Sequence, residues 1–222
     1  ALNDTTQIQI QSNLVNSNTG DYPMIEDFES NQIPNDWIVS SGIPVSLWQI
    51  QSQKDKNLKS SKVVGFTNSN YSYANLPLGL YSKTIDLTNA IQPTFYMDYA
   101  YFKSNSFVGY YDTLFIEIQE ICSPEKSYVL FSGAETALYT AAPNAEISRV
   151  PDSTGHWRTF AIDLSAFKGK KIIAKLTVIR GVYSNLYIDN IKVIEKESST
   201  PTMSINWEPK EVCISNLVKF NG

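Results

Sequence analysis

The residues of this chain that could do chemistry are carboxylates set in strand-like surroundings. Glu26, Asp27 and Glu29 bracket Phe28 and lead into Ile33-Pro34-Asn35-Asp36-Trp37. Far along the chain, Asp189 sits within Tyr187-Ile188-Asp189-Asn190-Ile191. By strand alternation Asp189 shares a face with Tyr187, Ile191 and Val193, and Asp112 shares one with Leu114 and Ile116. If those faces point inward, each carboxylate needs a hydrogen-bond partner or a cation, because an unpartnered buried charge is costly. The first and last strands of a β-sandwich often neighbour each other, which would carry Glu26, Asp27 and Glu29 towards Asp189. Carboxylates with backbone carbonyls at one sandwich edge suit a hard, oxygen-seeking ion, and Ca²⁺ is the expected one. The alternative is that Asp189 and Asp112 sit at strand ends and accept backbone N–H groups.

Other chemistries find less support. Two carboxylates suffice for glycoside hydrolysis, but the acids here are scattered along the chain. No Gly-rich phosphate loop, Gly-x-Ser-x-Gly elbow or His-Glu-x-x-His is present. The single histidine, His156, leaves no His-rich zinc site. It follows Ser153-Thr154-Gly155 with no Ser or Cys marked as its partner, so it reads as a turn histidine. Sugar rings stack on exposed Tyr and Trp, and Tyr71, Tyr73, Tyr81, Tyr96, Tyr110 and Tyr111 fall in loops or on alternating strand faces. Of these, Tyr71, Tyr73, Tyr110 and Tyr111 are the ligand-binding candidates, with packing as the alternative role. Trp37, Trp48 and Trp157 are expected in the core.

The elements that must position these residues are short strands. Phe95, Met97, Tyr99 and Tyr101 alternate on one face, as do Leu114, Ile116 and Ile118. Phe160, Ile162 and Leu164 form a third set, and Ile172, Ala174, Leu176 and Val178 a fourth. One short helical stretch is expected around 134–140. Pro, Gly, Asn and Ser punctuate the strands, so the fold class is all-β and antiparallel. Strands of this number bury both faces only as two packed sheets, a jelly-roll β-sandwich. Residues 1–22 read as a polar linker with a weak edge strand at Gln7–Gln11, and 23–196 as the sandwich. Residues 197–222 read as a linker and the start of a second domain, or else as an extension packed on the sandwich.

Composition narrows the class. The 222 residues are 42% hydrophobic and 18% charged, enough to build a core. A net charge of -4 gives no basic footprint for nucleic acid. No apolar run approaches the ~20 residues of a membrane span, so no membrane insertion is expected. The opening Ala1-Leu2-Asn3-Asp4-Thr5 has no signal-peptide character, so any export signal is expected to be removed or outside this sequence. Cys122 and Cys213 could pair, but nothing in their spacing requires it.

In order, the chain presents Glu26-Asp27-Phe28-Glu29, Ile33-Pro34-x-x-Trp37, Trp48 and Leu80-Tyr81-Ser82-Lys83-x-Ile85-Asp86-Leu87. It continues with Phe95-x-Met97-x-Tyr99-Ala100-Tyr101, Asp112-x-Leu114, Trp157-Arg158-x-x-x-Ile162-Asp163-Leu164-Ser165 and Tyr187-Ile188-Asp189-Asn190-Ile191. This ordered set, covering 24–195, resembles the cleaved-adhesin (choice-of-anchor) jelly rolls, themselves similar to MAM domains. Such domains occur in secreted multidomain proteins of Bacteroidetes, often after a protease domain. The tail from Pro201, with Val212-Cys213-Ile214-x-x-x-Val218-x-Phe220, resembles the first strands of a PKD-type immunoglobulin-like domain.

The resemblance implies a non-catalytic accessory or adhesin module on a secreted or cell-surface bacterial protein. Its partners would be a glycan or extracellular protein and the neighbouring domains of its own polypeptide. A spacer without a ligand is the alternative, and a glycoside hydrolase ranks below both. The resemblance also implies a structural Ca²⁺ held by Glu26, Asp27 or Glu29 together with Asp189. Two stretches depart from the pattern. Val39-Ser40-Ser41-Gly42-Ile43-Pro44 lacks the acids of a second calcium loop, and Ile121-Cys122-Ser123-Pro124 replaces a common Asp-Cys-Gly hairpin.

Overall fold

A computed structural model describes residues 20–41, 47–68, 74–105, 111–144 and 149–197. Tyr71, Tyr73, Tyr110, Gln7–Gln11, Cys213 and the tail from Pro201, expected to open a PKD-type domain, lie outside them. Among the described residues the strands are β1 (Met24–Glu26), β2 (Ile38–Ser41), β3 (Gln49–Lys54), β4 (Ser60–Asn68), β5 (Pro77–Tyr81) and β6 (Ile85–Asp86). They continue as β7 (Pro93–Lys103), β8 (Thr113–Glu120), β9 (Ser123–Ala134), β10 (Arg158–Asp163), β11 (Lys171–Ile179) and β12 (Ser184–Glu195). The expected short helical stretch is a single 3₁₀ turn, Glu135–Ala137. No helix among the described residues is long and apolar enough to cross a membrane.

Two antiparallel sheets result. One has the order β10-β7-β12-β4-β3, with β1 added alongside β12; the other has the order β2-β5-β11-β8-β9, with β6 on β11. The alternating sets meet between them. Phe95, Met97, Tyr99 and Tyr101 from β7 pack with Leu114, Ile116 and Ile118 from β8 and with Ile172, Ala174, Leu176 and Val178 from β11. Trp37 and Trp48 join this core, while Trp157 is buried in a second cluster on the outer face of the β7 sheet. Fully buried aromatic and aliphatic side chains each contribute roughly 1.5–3 kcal/mol, which is what holds two such sheets together.

The first and last strands do neighbour each other. Residues Ser184–Ile188 of β12 pair with β4, and from Ile191 onward that edge pairs with β1 instead, Glu26 opposite Ile191 and Met24 opposite Val193. The register against β7 shifts between Asp189 and Lys192, and Asn190 adopts φ +52°. This bulge corrects the strand-face expectation. Tyr187 and Asp189 point to the outer side, whereas Ile191 and Val193 turn back into the main core, because the extra residue inverts the alternation.

The β4–β12 pairing leaves no room for a side chain at Gly65, where a Cβ would stand 2.4 Å from the Leu186 carbonyl oxygen. Gly65→Ala should therefore cost about 2 kcal/mol or more in a urea melt. Gly155→Ala, whose Cβ would meet nothing closer than 3.7 Å, is the control and should stay within about 0.5 kcal/mol.

Candidate functional site

The acids gather where β12 exchanges neighbours. Asp189 is 2% exposed and stands directly opposite Asp98 of β7. The Asn190 amide donates to Asp189 Oδ1 at 2.7 Å, and Ser61 Oγ lies 3.4 Å from Oδ2. Ser61 has one hydroxyl proton and a closer acceptor, Glu29 Oε1 at 2.6 Å, which also takes the Lys62 amide at 3.1 Å. Asp98 is better served. It faces Lys56 Nζ at 2.9 Å and accepts from Thr159 Oγ1 at 2.5 Å and Asn190 Nδ2 at 3.2 Å. Burial, then the charges of Asp98 and Glu29, push the Asp189 carboxyl up from 3.8 to about 7, against the Asn190 amide and Ser61 hydroxyl that favour its charge.

The expected calcium set divides into two. Glu29 and Asp189 converge on Ser61. Glu26 and Asp27 instead serve their own turn, Glu26 accepting the Phe28 amide at 2.8 Å and Asp27 the Glu29 amide at 3.2 Å. That turn holds Phe28 at φ +54° with its ring wholly buried, edge-on to Trp37 at 5.7 Å. The Glu-Asp-Phe-Glu motif thus shapes the chain around an aromatic anchor. Burial raises the Glu26 pKa, with Asp27 and Asp36 adding to it and Lys83 opposing. Among the described residues no group of three or more His, Cys, Asp or Glu is placed to hold a metal.

Asp112 takes the hydrogen-bonded role. Just ahead of β8, it accepts the Tyr101 hydroxyl at 2.5 Å and the Gly181 amide at 2.8 Å. Tyr111 is half-buried, with the buried Lys103 amine 5.8 Å from its ring centre. His156 closes a 3₁₀ turn, its Nδ1 2.9 Å from the Asp152 carboxylate. Asp98 and Asp189 face each other along the sheet and not across a cleft, so they do not form a pair of hydrolytic acids around a substrate.

The solvent-facing side of the β11 sheet carries a different surface. Strand pairing sets Tyr81, Lys175 and Glu117 in one row and Ser40, Gly79, Thr177 and Phe115 in the next. Tyr81 lies flat over Gly79, where a Cβ would come within 2.6 Å of its hydroxyl. That hydroxyl bonds with Thr177 and Ser40, and the Lys175 amine stands 5.3 Å from the ring centre. Gly79 is buried, and the side chains of the other residues are partly exposed. Tyr81 belongs to the aromatic group visible in the sequence, but its neighbours look like any polar strand face until the pairing aligns them.

Solved structures share this fold. The K1 cleaved adhesin domain of Lys-gingipain from Porphyromonas gingivalis W83 superimposes with a TM-score of 0.55 at 16% identity, over 79% of this chain and 99% of that one. The K3 domain of the same protein gives 0.53 at 16% identity, over 78% and 98%. An exo-beta-agarase gives 0.51 at 11% identity over 81% of this chain and 26% of the agarase chain. No protein-family model and no curated protein sequence matches the chain. The fold is the jelly roll of cleaved adhesin domains.

The acid junction makes a pH prediction. Folded Asp189 keeps its proton to about pH 7 while the unfolded chain loses it near 3.8. The folded state therefore binds the extra proton between those values, and its stability falls as pH rises through that window. Asp189→Asn removes the penalty. In EDTA its melting temperature should match wild type near pH 4 and exceed it by several degrees near pH 8, at roughly 2–4 °C per kcal/mol. Parallel curves across the range would show that Asp189 ionises at its ordinary pKa.

Proposed function

We propose that this chain is a non-catalytic, adhesin-type binding module of a larger secreted or cell-surface bacterial protein. Its ligand is a glycan laid across the solvent-facing side of the β11 sheet. The observation that carries this reading is the Tyr81 ring, held flat by Gly79 and by hydrogen bonds to Thr177 and Ser40. A fixed aromatic ring on a solvent-facing strand offers an apolar surface for the C–H side of a sugar once the flexible Lys175 amine over it swings aside. Ser40, Thr177, Lys175 and Glu117 around it supply donors and acceptors for hydroxyls. The face is five strands wide, about 19 Å at ~4.8 Å per strand, room for a short oligosaccharide. The jelly-roll fold shared with cleaved adhesin domains supports the reading. A protease elsewhere in the parent polypeptide belongs to the same proposal.

A structural Ca²⁺ at the acid junction forms its second part. Asp189 and Glu29 would supply carboxylate oxygens, and a buried carboxylate whose ionisation is resisted gains most from a cation. Chelation should then lower the melting temperature of wild type at neutral pH and leave Asp189→Asn unmoved. An unchanged wild-type melt in EDTA, with no calcium by elemental analysis, removes the cation.

The binding test is retention of residues 1–222 on a panel of polysaccharides and extracellular-matrix proteins. Retention on a polysaccharide, weakened about tenfold or more by Tyr81→Ala, is the expected outcome, a loss of ~1.4 kcal/mol. Retention on proteins alone would replace the glycan with a protein ligand. A folded sample held by nothing would make the module a spacer.

A further inference from the structure

The outer side of the β7 sheet is half covered and half open. In the covered half Val63, Ala100, Phe102, Trp157 and Tyr187 form their own buried cluster. The chain near Arg149 closes it, with the guanidinium 4.9 Å from the Phe102 ring centre and the carbonyl accepting the Tyr187 hydroxyl at 3.0 Å. The open half holds a cleft of ≈ 340 Å³. Strand pairing sets Tyr96 beside Ala161, and Thr94 beside Asp163 in the next row. The small Ala161 side chain leaves space next to the tyrosine ring. Gln92, Ser165 and Lys196 close the end of the cleft.

These groups are fixed by neighbours. The Lys196 amide donates to the Gln92 carbonyl at 2.8 Å, and the Glu197 amide to the Tyr96 hydroxyl at 3.2 Å. Asp163 Oδ1 accepts the Ser165 amide at 2.8 Å. The Ser165 hydroxyl and amide hold the Asp163 carboxyl below its ordinary pKa, so it is ionised at neutral pH and accepts without donating.

We propose that this cleft is a second ligand site, which takes a single pyranose unit by its vicinal hydroxyls. The volume lies at the small end of the range for ligand pockets, about 300–1,000 Å³. An ionised carboxylate with two oxygens can accept from two adjacent hydroxyls at once, and such charge-assisted bonds are about twice as strong as neutral ones. Tyr96 offers its ring to the apolar face of the sugar. Lys196 and Gln92 can donate to its remaining oxygens, and the Ser165 hydroxyl, whose proton already goes to Asp163, can accept. Among the described residues Asp163 is the one acid lining the cleft, so these residues do not supply the pair of carboxylates needed to cleave a glycosidic bond. It shares no residue with the Tyr81 surface and stands or falls independently of it.

Amide NMR of the full chain, titrated with glucose, galactose, mannose, fucose and N-acetylglucosamine, tests this. At least one sugar should shift the amides of Tyr96, Ala161 and Asp163 saturably at millimolar concentration. Asp163→Asn should weaken that binding about tenfold or more, a loss of ~1.4 kcal/mol. Ala161→Leu, on an exposed edge-strand position, should fill the cleft and abolish the shifts while the rest of the spectrum stays unchanged. Tyr81→Ala should leave them intact. No shift at these amides with any of the sugars overturns the proposal, as do shifts that persist unaltered in Asp163→Asn and Ala161→Leu. Shifts confined to Tyr81, Phe115 and Thr177 would overturn it while supporting the β11-sheet site.

Discussion

The sandwich depends on one edge of β12 serving two partners. β4 occupies that edge as far as Ile188, and β1 takes over at Ile191. A single strand can change neighbours only if its backbone breaks register, and the bulge around Asn190 does this. The handover seats Met24, Ile191 and Val193 in the same core as Phe95 and Leu114. It also leaves polar groups inside the sheet surface, and the acids and hydroxyls clustered there satisfy them. Glu29 caps Ser61 and Lys62, Asp189 caps its own bulge, and Asp98 collects Lys56, Thr159 and Asn190.

Local structure around the junction follows from the same need. The turn after β1 must reverse direction while burying Phe28, so Glu26 and Asp27 spend their carboxylates on nearby amides. Three acids then share the remaining space with one lysine, 46% exposed at the tip of the β3–β4 hairpin. An imbalance of that kind favours a proton or a cation at the most buried acid. Away from the junction and the Phe102–Trp157 cluster, the outer side of each sheet presents a tyrosine with polar neighbours, Tyr81 beside Ser40 and Thr177, and Tyr96 beside Thr94 and Gln92.

Much of the fold was legible in the sequence because period-two alternation and a two-sheet core impose each other. The four alternating sets, the buried tryptophans and the meeting of first and last strands needed no tertiary detail. The bulge did: with Asn190 inserted, Asp189 and Ile191 point to opposite sides, although their spacing alone puts them together. The capture of Glu26 and Asp27 by their own turn was hidden because a carboxylate two residues from an amide looks no different in sequence from a free one. Lys56 reaches Asp98 across 42 residues through a hairpin, and no local pattern announces it. Tyr81 and Tyr96 were visible as aromatics, but only strand order gives them Gly79 and Ala161 as neighbours. Tyr71, Tyr73 and Tyr110 fall outside the described residues, and Tyr111 packs near Lys103.

The most direct test of this account is the titration of the Asp189 side-chain carboxyl, followed by carbon-13 NMR in calcium-free solution. The junction described here requires it to titrate near 7. Titration near the ordinary value of 3.8 would mean that water or unseen donors already stabilise the charge. The seam would then lack the electrostatic strain on which this account rests.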